Sequence, residues 1–145
     1  MSELVVAESK GLSREIRTKV TLFPSGLFPV GPVEPVVCDA IWDTGAYGSS
    51  ISERAAKALD LIPVSSTVVH TANGDRQTPV YQIDLMLPNN VRIKDLPVTE
   101  SDLAVCDALI GMDVITLGDM GLTNLQNTRF TFRIPAKGSV PIEAR

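Results

Sequence analysis

The sequence has 145 residues, of which 44% are hydrophobic and 21% charged, with a formal net charge of −4. This is the length of one domain with a substantial core, and no apolar run approaches the length of a membrane-spanning helix. The acidic balance and the lack of a basic cluster argue against nucleic acid as a partner; two cysteines, Cys38 and Cys106, are no disulfide framework, and a lone histidine makes a zinc site improbable.

Residues 1–8 are acidic and lack the basic start and long apolar stretch of a signal peptide, so a cytoplasmic location is expected. Residues 14–23 alternate polar and apolar side chains, as a half-buried strand does. Residues 24–35 hold four prolines and two glycines, which excludes helix and predicts a long connection. Its apolar residues Leu27, Phe28 and Val30 are expected to cover the core or to meet a partner, covering being the favoured reading. Residues 36–42 have the β-branched content of a buried strand, with Cys38 packing as a small apolar residue. That strand stops abruptly at Asp43-Thr44-Gly45.

Beyond it, residues 52–59 read as a helix capped by Ser52, and Pro63 closes the element. Residues 66–71 are strand-like. Asn73-Gly74 then signals a hairpin, because both positions tolerate positive φ. Residues 77–87 form the return strand, 88–90 a turn, and 91–98 a further strand. Ala108-Leu109-Ile110-Gly111 opens a short helix. Residues 128–134 alternate cleanly up to Pro135. Many short strands, one or two short helices and regular turns describe a single all-β domain over 1–145, a barrel or a sandwich. The first dozen residues and 136–145 are expected to be flexible or to lie at a dimer interface.

A carboxylate at the end of a buried strand is costly unless it is hydrogen-bonded. Thr44, with its short hydroxyl, and Gly45, with its accessible backbone, are suited to that. Asp-Thr-Gly alone also fits an Asx-turn in which Asp43 bonds its own backbone. Read with Ala46, Ser49 and Ile51 behind it, and with the downstream Ala108-Leu109-Ile110-Gly111, the sequence resembles the retropepsin-like aspartic proteases, in particular their bacterial members. The resemblance spans roughly residues 20–134 and implies a closed β-barrel, the acid protease fold.

The resemblance also implies roles. Asp43, Thr44 and Gly45 would be catalytic; Ala46, Tyr47 and Gly48 would contact substrate, together with a flap whose tip is Thr71-Ala72-Asn73-Gly74. The same hairpin residues would equally make an ordinary exposed turn. Leu109, Ile110 and Gly111 would support the Asp43 loop from behind. His70 has no expected role, and no metal or cofactor is expected. Viral members usually carry an acidic residue at the position of Tyr47 and an arginine at that of Met112, which pair. Both are replaced here, so apolar packing is expected instead.

Aspartic proteolysis needs two carboxylates sharing one proton, and this chain has one Asp-Thr-Gly. The expected enzyme is therefore a homodimeric aspartic endopeptidase acting on peptides or proteins, with Asp43 facing Asp43 of its copy. Two alternatives stand beside it. One is an inactive retropepsin-like domain serving dimerisation or peptide binding, and the other an unrelated β-barrel with chance motif matches.

Overall fold

The computed structural model describes residues 4–141. Their alternation resolves into ten strands and two short helices: β1 (Leu4–Glu8), β2 (Ile16–Pro24), β3 (Val36–Trp42), β4 (Ser50–Ile51), α1 (Glu53–Ala58), β5 (Ser65–Thr71), β6 (Gly74–Met86), β7 (Arg92–Glu100), β8 (Ala108–Ile110), α2 (Met112–Ile115), β9 (Asp119–Thr123) and β10 (Arg129–Arg133). A seven-stranded sheet runs β2-β3-β8-β4-β7-β6-β5. Because β2 pairs with β3 through Ile16–Leu22 and again with β6 through Thr21–Pro24, hydrogen bonding returns on itself around six of these strands. β5 is left as a free edge.

A smaller sheet, β1-β10-β9, packs against the end of β3. The contact is aromatic: the Trp42 ring lies 4.9 Å from both Phe130 and Phe132, tilted by 52° and 55°. Such tilted pairs add to the burial of the rings themselves. Trp42 also satisfies its one polar atom, Nε1 donating to Thr18 Oγ1 at 2.9 Å. Since strand side chains alternate, Cys38, Ala40 and Trp42 of β3 all turn into the core. Cys38 is a packing residue, its thiol pushed up to about 12, chiefly by burial and then by the nearby Asp107 and Asp39 carboxylates.

Two expectations are corrected here. Leu27 and Phe28 do not cover the core: they are 63% and 47% exposed. Their loop is instead pinned at its start, where Ser25 Oγ bonds the Asp95 carboxylate and accepts from Leu27 N. The hairpin turn is centred one residue earlier than Asn-Gly implies. Thr71 pairs with Gly74, leaving Ala72-Asn73 as the loop, and only Gly74 takes a positive φ, of 108°. The expectation for the N-terminal dozen residues falls partly on residues 1–3, outside the described residues; within the rest lies β1, paired with β10 of the same chain from Leu4↔Arg133 to Glu8↔Arg129. In the C-terminal segment, Arg133 and the Lys137 and Gly138 amides converge on Asp119 Oδ2, holding its carboxyl below the usual range through the Lys137 amide first and Arg133 next. Residues 142–145 of that expectation lie outside the described residues.

The pairing of β6 with β7 slips between Ile83 and Leu85, and this bulge turns Asp84 inward. Its buried carboxylate is satisfied by Arg92 Nε at 2.9 Å and by Asp95 N at 3.0 Å. The same Arg92 guanidinium stacks 4.0 Å over the Phe23 ring. Asp84→Ala leaves a donor pair without an acceptor. It is expected to lower the unfolding free energy by about 1–3 kcal/mol, read from urea denaturation; an unchanged midpoint would show that the bulge does not depend on this carboxylate.

Candidate active site

Asp43 is placed by the parallel pairing of β3 with β8, in which Trp42 lies opposite Ile110. One residue further on, Asp43 N donates to Ile110 O at 2.8 Å, so the strand pairing continues to the carboxylate itself. The chain then turns: Gly45 N donates to Asp43 Oδ1 at 2.8 Å and Ala46 N to Asp43 O at 3.2 Å. This is the Asx-turn foreseen as the bland reading. It also fixes one carboxylate oxygen while Oδ2 has no hydrogen-bond partner among the described residues. Thr44 is exposed, and its hydroxyl makes no hydrogen bond among the described residues.

The loop closes onto β4, which pairs with β8 on that strand's other edge, Ser50 opposite Leu109 and Ile51 opposite Ala108. β8 is thereby inserted between the strand that enters the Asp43 loop and the strand that leaves it. Leu109, Ile110 and Gly111 stand directly behind the loop. Gly111 is required there on steric grounds: a Cβ would lie 2.7 Å from Gly48 C and O and 2.9 Å from Ala46 O. The helix that follows is docked by its amides, Met112 N donating to Ala46 O at 2.8 Å and Asp113 N to Tyr47 O at 3.1 Å. α1 is fastened to the same region by Ser52, whose hydroxyl accepts from Ala55 N and donates to Asp107.

Tyr47 departs from expectation. Its ring does not pack against Met112 but is 96% exposed, while Met112 lies against the core. The joint that an ion pair would make is made by backbone bonds and by two residues to which the sequence reading gave no role, Ser49 and Asp113. Ser49 N and Oγ donate to Asp113 Oδ2 and Oδ1, at 3.0 and 2.7 Å, and Ser49 Oγ accepts from Gly111 N at 3.0 Å. Sixty-four residues separate the two in sequence; the one local signal was an acidic residue in the first turn of α2.

Thr71, Ala72, Asn73 and Gly74 are not joined to this cluster. They form the tip of the β5–β6 ribbon, exposed along the whole of β5 and up to Gln77. The ribbon's bonds are its own: Thr71 Oγ1 donates to Gly74 O at 2.6 Å, Gln77 Nε2 to Ser66 Oγ at 3.0 Å, and His70 Nδ1 lies 2.5 Å from Asp75 Oδ1 across it.

Gly111→Ala forces backbone apart at the junction of both loops. Overpacking of this kind costs about 1–3 kcal/mol, so the variant is expected to unfold at lower temperature in a thermal melt. A wild-type melting curve would contradict the close approach.

Comparison with known proteins agrees with this geometry. Residues 33–116, more than half of the chain and including both loops, match the family described as "gag-polyprotein putative aspartyl protease". Among solved structures, a retropepsin-like aspartic protease from Rickettsia conorii superposes with a TM-score of 0.54 at 14% identity, over 90% of this chain and 95% of that one. EIAV protease complexed with the inhibitor HBY-793 gives 0.50 at 16% identity, over 70% and 86%. Curated protein sequences give no match. The chain belongs to the gag-polyprotein aspartyl protease family and has the retropepsin-like fold.

Proposed function

We propose that the chain is an aspartic endopeptidase active as a homodimer. The observation that carries this reading is the half-satisfied Asp43 carboxylate, oriented through Oδ1 by Gly45 N with Oδ2 free at an exposed loop. One such carboxylate cannot serve as base and acid at once. A two-fold copy supplies the second, and two adjacent carboxylates then share a single proton because both cannot ionise together. The ionised Asp43 takes a proton from a water whose oxygen attacks the peptide carbonyl carbon. The protonated Asp43 of the other copy donates to the carbonyl oxygen. The tetrahedral diol collapses as the C–N bond breaks: the Asp43 that took the water's proton passes it to the leaving nitrogen, and the other Asp43 takes back a proton from a diol hydroxyl as the carbonyl re-forms.

Thr44, exposed and without a hydrogen-bond partner among the described residues, would bond across the two-fold axis of such a dimer. Ala46, Tyr47 and Gly48 offer backbone and an exposed aromatic ring to an extended peptide, and the ribbon tipped by residues 71–74 covers it. Ribbons with few buried apolar contacts lie at the low-stability end of a fold, which suits a part that opens and closes.

Asp43→Asn is expected to abolish cleavage of a mixed peptide library. Added in excess to wild type, it should also suppress activity, since each mixed dimer lacks half of the carboxylate pair. Cleavage by the variant, or full specific activity in a sample shown by sedimentation to be monomeric, would sink the proposal. For the ribbon, amide exchange at residues 66–77 should slow at least several-fold when a peptide-like inhibitor binds; equal exchange in both states would remove its covering role.

A further inference from the structure

We propose that Asp113, acting through Ser49, is a positioning residue for the Asp43 carboxylate. This rests on the aspartic protease reading and extends it to a residue 70 positions away in sequence. Thr44, Gly45, Tyr47 and Gly48 are all exposed, so packing does not hold the loop in place. Its shape is set at its base, by hydrogen bonds. The Asp113 carboxylate accepts from Ser49 N, Ser49 Oγ and Val114 N, at 3.0, 2.7 and 2.9 Å. Ser49 is 5% exposed, so neither of its donors has water to turn to. By orienting the serine hydroxyl as a donor to itself, Asp113 leaves an Oγ lone pair to accept Gly111 N.

Gly111 is the residue that follows Ile110, whose carbonyl holds Asp43 N, and it precedes the amides that hold Ala46 and Tyr47. The network therefore runs from Asp113 through Ser49 and Gly111 to both ends of the Asp43 turn. Without the carboxylate, the Ser49 N–H and O–H lose their acceptors, and the loop relaxes until they find others. In a dimer that displacement separates or tilts the two Asp43 carboxylates. The hydrogen bond through which they share a proton and the repulsion between their charges both weaken, so the pH range over which the pair holds a single proton narrows at both ends.

The test compares Asp113→Ala, Asp113→Asn, Ser49→Ala and Asp43→Asn with wild type, each checked for folding and dimerisation. Asp113→Ala is expected to lose about a hundred-fold in kcat with KM little changed, and its pH–rate bell should narrow from both sides. Asp113→Asn keeps an acceptor for Ser49 N but turns N–H donors toward the Ser49 hydroxyl and Val114 N, so it should recover part of the rate and fall between Asp113→Ala and wild type. If Asp113→Ala does not fold, Ser49→Ala breaks the same network from its other end and should narrow the bell likewise. A folded, dimeric Ser49→Ala or Asp113→Ala with wild-type kcat and pH profile overturns the proposal.

Amide exchange at Asp43, Gly45 and Ala46 gives a readout independent of catalysis. Loss of the network should speed it by about ten-fold; unchanged exchange counts against positioning. Cleavage by Asp43→Asn, or none by wild type, would overturn the protease reading alone and leave this exchange measurement to decide the network's role.

Discussion

The approach of Gly111 to the backbone of Ala46 and Gly48 is the constraint on which the site depends. Two turns, drawn from distant parts of the chain, touch at a separation that no side chain fits. Contact this close needs the strands behind both turns to be held in register, and β8 is held on both edges, by β3 and β4. The register in turn relies on the core beneath, where Trp42, Phe130 and Phe132 lock the end of β3 against the smaller sheet. Burying large side chains of this kind contributes roughly 1.5–3 kcal/mol each. Packing of the core is thus converted into placement of one carboxylate.

The molecule divides its stiffness unevenly. Around Asp43 the loop is tied down at its base: Asp43 N bonds Ile110 O of β8, Ser49 N bonds the Asp113 carboxylate, and the Gly45 and Ala46 amides turn back onto Asp43 itself. The β5–β6 ribbon has its own ladder and little else, with one free edge and both faces in water along β5. A rigid base and a loosely supported arm are the two mechanical elements that enclosing an extended ligand requires. Polar residues along the arm, among them Ser65, Ser66, Thr67, His70 and Thr71, keep that free edge from becoming a sticky strand.

Much of this was legible in the sequence because it is written locally. The β-branched run ending in Asp43, the Ser52 cap and the Ala108–Gly111 sequence each announce themselves within a few residues. What stayed hidden was written at long range. Nothing near Ser49 points to Asp113. The short β4 has too few residues to show a period, and β1 and β9 acquire their identity only from β10. The inward Asp84 arises from a slip in register, which interrupts the alternation used to read faces. Leu27 and Phe28 were misread because an apolar side chain on a loop carries no sign of which way the loop folds.

Trp42 has a consequence of another kind. It is the sole tryptophan, buried between two phenylalanines, and it immediately precedes Asp43 in the chain. Indole emission depends on the polarity around the ring, so the protein carries an intrinsic optical gauge one peptide bond from its candidate catalytic carboxylate. Its fluorescence would register any event that lets water reach the end of β3, without a label attached anywhere near the site.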